Sequence, residues 1–80
     1  MPKHLDQDPE AASVAFGKRL RELRAEHGVS QDDLSRRTDV HPTAIGRLER
    51  GSREPRLSTI LRLARGLDVE PGKLLDDLRA

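Results

Sequence analysis

The chain has 80 residues, with 15 Lys and Arg against 14 Asp and Glu and a formal net charge of +1. That length allows one domain with a small core and a stability of about 4–12 kcal/mol on the usual per-residue range. There is no cysteine, hence no disulfide framework and no thiolate chemistry. No apolar run approaches the ~20 residues of a membrane span, and no secretory signal pattern opens the chain. These features lead us to expect a cytoplasmic protein that does not meet a membrane. Phe16 is the sole aromatic residue, which argues against single-strand or RNA binding on stacking platforms. Charge is unevenly placed. Residues 36–56 hold six arginines against three acids, a net of +3, while residues 1–10 and 68–80 are each at −2. A concentration of positive charge on one stretch is the electrostatic footprint of a nucleic-acid partner.

An enzyme is not indicated. His4, His27 and His41 are scattered without metal-ligand spacing. Asp32-Asp33 and Asp76-Asp77 are adjacent pairs, which point different ways on a helix, and there is no glycine-rich phosphate loop. We therefore expect no catalytic residue, no metal, no cofactor and no small-molecule ligand.

In chain order, residues 1–11 read as a polar, flexible arm and residues 12–78 as the domain. Asp8-Pro9-Glu10 carries a helix-start signal, and the first helix is expected to run to about Glu26, ahead of Gly28. Phe16, Leu20 and Leu23 form its apolar stripe, with Val14 or Ala12 available to extend it. Ser30 caps a second helix over about 31–37, where Asp32 and Asp33 sit favourably at the positive end of the helix dipole. Pro42 pushes His41 out of the α region and opens a third helix over about 42–50, which Gly51 closes. Leu34, Val40, Ile45 and Leu48 are expected to face inward. Gly51 to Arg56 reads as a polar loop, Leu57 as a return to the core, and Ser58 as the cap of a fourth helix over about 59–66. Ile60, Leu61, Leu63 and Ala64 are available for burial there, and Gly66 ends it. Asp68-Val69-Glu70-Pro71 starts a fifth helix carrying Leu74, Leu75 and Leu78. No strand pattern or repeat appears. The expected architecture is an all-α, compact five-helix bundle.

Two short helices joined by a tight turn form the helix-turn-helix unit, whose second helix enters the major groove of DNA. The stretch from Ser30 to Gly51, together with Phe16–Arg24, Pro55-Arg56-Leu57, Leu61–Ala64 and Leu67–Pro71, resembles the phage-repressor (Cro/Xre) helix-turn-helix DNA-binding family over roughly residues 14–78. Two positions depart from the pattern. Asp39 stands where the family usually has a turn glycine, and Asp tolerates the left-handed conformation. Gly46 stands where it usually has a side chain, and weakens the third helix by about 0.5–1 kcal/mol relative to Ala.

The resemblance implies roles for particular residues. Pro42, Thr43 and Arg47 stand where family members meet base edges. Arg47 is suited to bond both O6 and N7 of a guanine, Thr43 to offer a hydroxyl or a methyl, and Pro42 to make apolar contact only. His41 is first a helix cap, with base or phosphate contact as a further role. The exposed face of the third helix is expected to present His41, Pro42, Thr43, Gly46, Arg47 and Arg50. Gln31 stands where the family touches the DNA backbone and braces the recognition helix. Arg50 and Arg53 are expected on phosphate, and Arg56 on phosphate or a narrow minor groove. Arg24 and Glu49 are implied to pair, tying the first helix to the third. The dimer interface is expected on the fifth helix, from Val69, Leu74, Leu75 and Leu78. The resulting expectation is a double-stranded-DNA-binding transcriptional regulator, such as a repressor, working as a homodimer on an inverted-repeat operator. Short members of the family include restriction–modification controller proteins and lysogeny-type regulators. The alternative from another class is an antitoxin that holds a protein partner and also binds DNA.

Overall fold

The computed structural model describes residues 9–76 and residue 78. Within these residues the chain forms four α-helices: α1 (Pro9–His27), α2 (Gln31–Thr38), α3 (Pro42–Glu49) and α4 (Leu57–Leu67). A 3₁₀ helix at Pro71–Leu75 follows. Of the arm expected over residues 1–11, residues 1–8 lie outside the described residues, and residues 9–11 instead form the start of α1. No helix among the described residues is long and apolar enough to cross a membrane.

The architecture is all-helical, but the fifth α-helix is replaced by the 3₁₀ turn. Pro71 and Gly72 fall inside its first turn, and these are the two residue types least suited to a helix interior. Five residues are too few to recover the cost of starting an α-helix. The Lys73 amide instead donates to the Glu70 carbonyl at 2.9 Å and the Leu78 amide to that of Leu75 at 3.0 Å, both three residues back.

One core serves the whole domain. Phe16, Leu20 and Leu23 enter it from α1, Leu34 from α2, Ile45 and Leu48 from α3, and Leu63, Ala64 and Leu67 from α4. Val29, Val40 and Leu74 complete it from the connections and the 3₁₀ turn. The buried positions of α1 are 13, 16, 17, 20 and 23, so Ser13 takes the place expected of Val14, which stands outside. α1 packs on α3, α2 packs on α3 and α4, and the 3₁₀ turn closes against α1 and α4.

Helix α4 differs most from expectation. It begins at Leu57, with Arg56 in extended backbone at the cap position and no side-chain cap, so Ser58 lies inside the helix rather than before it. The Thr59 and Ile60 amides both donate to the Arg56 carbonyl at 3.0 Å. Starting there, Leu57 and Leu61 fall one turn apart on a common flank. That flank is turned outward by the burial of Leu63, Ala64 and Leu67, and Leu57 is 73% exposed and Leu61 50% exposed. Gly66 does not end the helix. It is buried within α4 against Thr38 and the Leu34 Cδ1 atom, and Asp68 closes the helix in left-handed backbone at φ 58°.

The crossing of α1 over α3 is unusually close at Gly17. A Cβ built on Gly17 would stand 2.6 Å from the Glu49 carbonyl oxygen and closer still to that of Leu48. Backbone, not a flexible side chain, occupies the space, so any larger residue must push the helices apart. Gly17→Ala should gain about 1 kcal/mol from helix propensity. It should lose more than this from overpacking, for a net destabilisation of about 1–3 kcal/mol. Chemical denaturation checks this, and a variant as stable as wild type or more so would show that the helices separate at no cost.

Candidate nucleic-acid interface

Helix α2 starts at a reciprocal cap. The Asp33 amide donates to Ser30 Oγ at 2.9 Å, and the Ser30 amide donates to Asp33 Oδ2 at 3.2 Å. Hydrogen bonding from the Ser30 backbone, and then from its hydroxyl, holds the Asp33 carboxyl below its ordinary range. Thr38 ends the helix from within. Its hydroxyl donates to the Leu34 carbonyl at 2.7 Å and accepts from the Val40 amide at 3.2 Å. Asp39 then turns the chain in left-handed backbone at φ 65°, in the place of a turn glycine.

His41 caps α3 through its ring, with Nδ1 accepting from the Thr43 amide at 3.1 Å, and Pro42 occupies the first helical position. With Ile45 and Leu48 buried, Thr43 and Arg47 project outward one turn apart, and Arg50 follows at the end of the helix. His41 is also exposed and Pro42 half-buried. Gly46 departs from expectation, because it is buried rather than on the outer face. The Arg50 Nη1 group folds back over it, 3.2 Å from where a Cβ would stand.

After α3, Gly51 adopts φ 74°, and its amide and that of Ser52 satisfy the Leu48 and Arg47 carbonyls, each at 3.1 Å. Arg53 and Arg56 follow, both exposed. Among the described residues, none of Arg47, Arg50, Arg53 and Arg56 forms an ion pair with an acid of the chain.

The orientation of α3 is set by Glu49, only 5% exposed. Arg24 of α1 grips its carboxylate with both arms, Nε to Oε2 at 2.6 Å and Nη2 to Oε1 at 2.9 Å. Gln31 Nε2 of α2 donates to Oε1 at 2.9 Å, and Arg21 Nη2 of α1 donates to the Glu49 carbonyl at 3.0 Å. Arg24 Nη1 also reaches the Val29 carbonyl at 3.1 Å. Gln31 was expected to brace α3, though without Glu49 as its partner, and the Arg21 contact was not anticipated, because nothing in the spacing of 21 and 49 brings them together before the helices dock.

The expected interface positions at the C-terminus separate. Leu74 is fully buried and offers no surface, which removes it from a dimer face. Val69 packs against the core. Leu75 and Leu78 line a cleft of about 290 Å³ with Phe16, Pro55 and Ile60.

A helix-turn-helix family model matches residues 20–74, spanning this arrangement from α1 to the 3₁₀ turn. The chain belongs to the helix-turn-helix family. Control protein C.BamHI of Bacillus amyloliquefaciens is 37% identical over 64 residues, covering 79% of each chain. The restriction-modification controller protein C.AhdI from Aeromonas hydrophila superposes with a TM-score of 0.77 at 45% identity, over 80% of this chain and 97% of that one. The clp gene regulator ClgR from C. glutamicum also superposes at 0.77, with 28% identity over 81% of this chain and 84% of its own. As a helix-turn-helix member of this kind, the protein is a DNA-binding regulator of transcription.

Burial would push the Glu49 carboxyl up, but the hydrogen bonds from Arg24 and Gln31 and the charges of Arg24 and Arg21 outweigh it and hold it below the ordinary range. A depressed carboxyl contributes stability that is fully present above its unfolded pKa, about 4.3, and is lost as pH falls through the folded value. The wild-type denaturation midpoint should therefore drop as pH is lowered below about 4.3, and Glu49→Gln should lack part of that drop. Parallel pH profiles for the two proteins would mean that the clamp carries no linkage.

Proposed function

We propose that the protein regulates transcription as a homodimer on an inverted-repeat operator, in the manner of a controller protein. The observation that carries this reading is the line of Thr43, Arg47 and Arg50 on an α3 held from behind by Arg24, Gln31 and Arg21. A recognition helix needs side chains on one outer face and an orientation that does not drift on binding. In this reading, His41, Pro42, Thr43 and Arg47 meet base edges, with Arg47 bidentate to guanine. Arg50, Arg53 and Arg56 follow the sugar-phosphate backbone. The side chain of Gln31 is committed to Glu49. Its share of the phosphate contact therefore comes through the backbone N–H groups at the start of α2, where the helix dipole also favours an anion. The similarity to C.BamHI and C.AhdI supports a controller-type regulator over other members of the family.

A single domain offers one short recognition helix. Two-fold pairing places two of them in successive major grooves, about 34 Å apart. Of the exposed apolar side chains, Val14 lies on α1, whereas Leu57, Leu61 and Leu75 lie on α4 and the 3₁₀ turn, with half-buried Leu78 beside the cleft. We place the isologous contact there, on the flank of α4 and the 3₁₀ turn.

Selection of bound DNA from a random pool tests the whole reading, and a recovered site without two-fold symmetry would defeat the dimer on an inverted repeat. On the selected site, Arg47→Ala should cost about 1–3 kcal/mol and relax preference at one base pair per half-site. Equal weakening on selected and random DNA would reduce Arg47 to a phosphate contact. Leu61→Asp should give a folded monomer of unchanged helicity with much reduced operator affinity. Sedimentation of this variant as a dimer would move the interface elsewhere.

A further inference from the structure

A groove of about 240 Å³ lies between α2 and α4, walled by Arg37, Thr38, Asp39, Arg62 and Arg65. Three arginines and a single aspartate line it. Elsewhere Arg19, Arg24 and Arg36 each stand within salt-bridge distance of an acid, but among the described residues Arg37, Arg62 and Arg65 do not. Arg37 is held in place, its Nη1 donating to the Gly66 carbonyl of α4 at 3.0 Å. A guanidinium retains further N–H groups after one such bond, arranged as a fork that fits a phosphate. The Thr38 hydroxyl is already used by Leu34 and Val40, so the arginines alone carry the recognition.

The composition of the groove selects the kind of partner. No apolar side chain lines it, whereas a protein partner needs an apolar centre to its contact. A phosphodiester needs only positive charge and donors. Its place in the chain is equally specific. Asp39 of the groove is the left-handed turn residue, two positions before the His41 cap of α3. Arg50, Arg53 and Arg56 follow the other end of that helix. The positive charge therefore stands at both ends of α3.

We propose that the Arg37–Arg62–Arg65 groove receives a phosphate of the DNA backbone, giving the duplex a second line of contact beside the start of α3. The inference rests on the DNA-binding reading. It implies that the footprint extends past the helix-turn-helix itself, onto a charge track shared between α2 and α4. Because the contact is to phosphate, it strengthens binding to all sequences and adds to the salt dependence.

The test is the slope of log affinity against log salt on a random-sequence duplex. The double variant Arg62→Gln with Arg65→Gln leaves the Arg37 bond to Gly66 intact, and circular dichroism confirms its fold. The groove holds one phosphate, and each phosphate contact removed lowers the slope by about 0.9, so the expected fall is about 0.9 per subunit bound. Arg53→Gln provides the comparison for a loop contact and should lower the slope by about 1 on its own. An unchanged slope in the double variant overturns the proposal while leaving the DNA-binding reading standing. Inorganic pyrophosphate that shifts the amide signals of Arg62 and Arg65, with the slope unchanged, assigns the groove to a small free anion and also overturns it. A wild-type protein with no salt-dependent binding to duplex overturns both.

Discussion

Removing a carboxylate from water costs several kcal/mol unless charge and hydrogen bonds replace the lost solvent. Glu49 sits at the last turn of α3 with its carboxylate almost wholly enclosed, and the replacement comes from α1 and α2. Arg24 supplies a bidentate guanidinium and Gln31 an amide. The pair is a weak argument for stability, since two well-packed apolar residues would serve as well. Its value is geometric. A forked ion pair has one good orientation, so α3 is fixed both along and about its axis relative to α1, and the outward line of Thr43, Arg47 and Arg50 is fixed with it.

The same docking explains why Gly17 is a glycine. The clamp draws α1 onto the end of α3 until backbone meets backbone, at the Leu48 and Glu49 carbonyls. Arg21, one turn further along α1, then reaches the Glu49 carbonyl, an acceptor that the end of α3 leaves without an intrahelical donor. Close packing, the ion pair and the helix-end hydrogen bond therefore act on the same few residues. The second docking, of α2 on α4, repeats the arrangement more simply. Gly66 admits Thr38 and Leu34, and Arg37 ties the two helices through the Gly66 carbonyl.

Apart from Val14 of α1, the large apolar side chains left exposed among the described residues lie on α4 and the 3₁₀ turn. Leu57 and Leu61 stay exposed because Ile60, Leu63, Ala64 and Leu67 occupy the inward arc of the helix, and Leu75 because Leu74 takes the inward side of the 3₁₀ turn. These three leucines on neighbouring elements are the apolar surface on which the proposed subunit contact rests. That is the physical reason for placing the subunit contact there rather than on Leu74, which the monomer itself encloses.

Much of the helix-turn-helix unit was legible in the chain itself, because its determinants are local. Ser30, Pro42 and Gly51 act through backbone geometry within a few residues, and the burial of Leu34, Val40, Ile45 and Leu48 follows from helical spacing. Asp39 could be read as a left-handed turn residue for the same reason. The C-terminal third was less legible. Whether Leu57 points in or out depends on the residue at which α4 starts, and no side-chain cap marks that start. Whether Leu74 or Leu75 is buried depends on the roughly 120° of rotation between neighbours in a 3₁₀ turn too short to show a period. The candidate site divides in the same way. The exposed arginines of α3 and its loop follow from sequence position. The hold on Glu49 by Gln31 and Arg21, the cover that Arg50 lays over Gly46, and the meeting of Arg37 with Arg62 and Arg65 join residues far apart in the chain. Such contacts exist only once the helices have docked, and no local pattern encodes them.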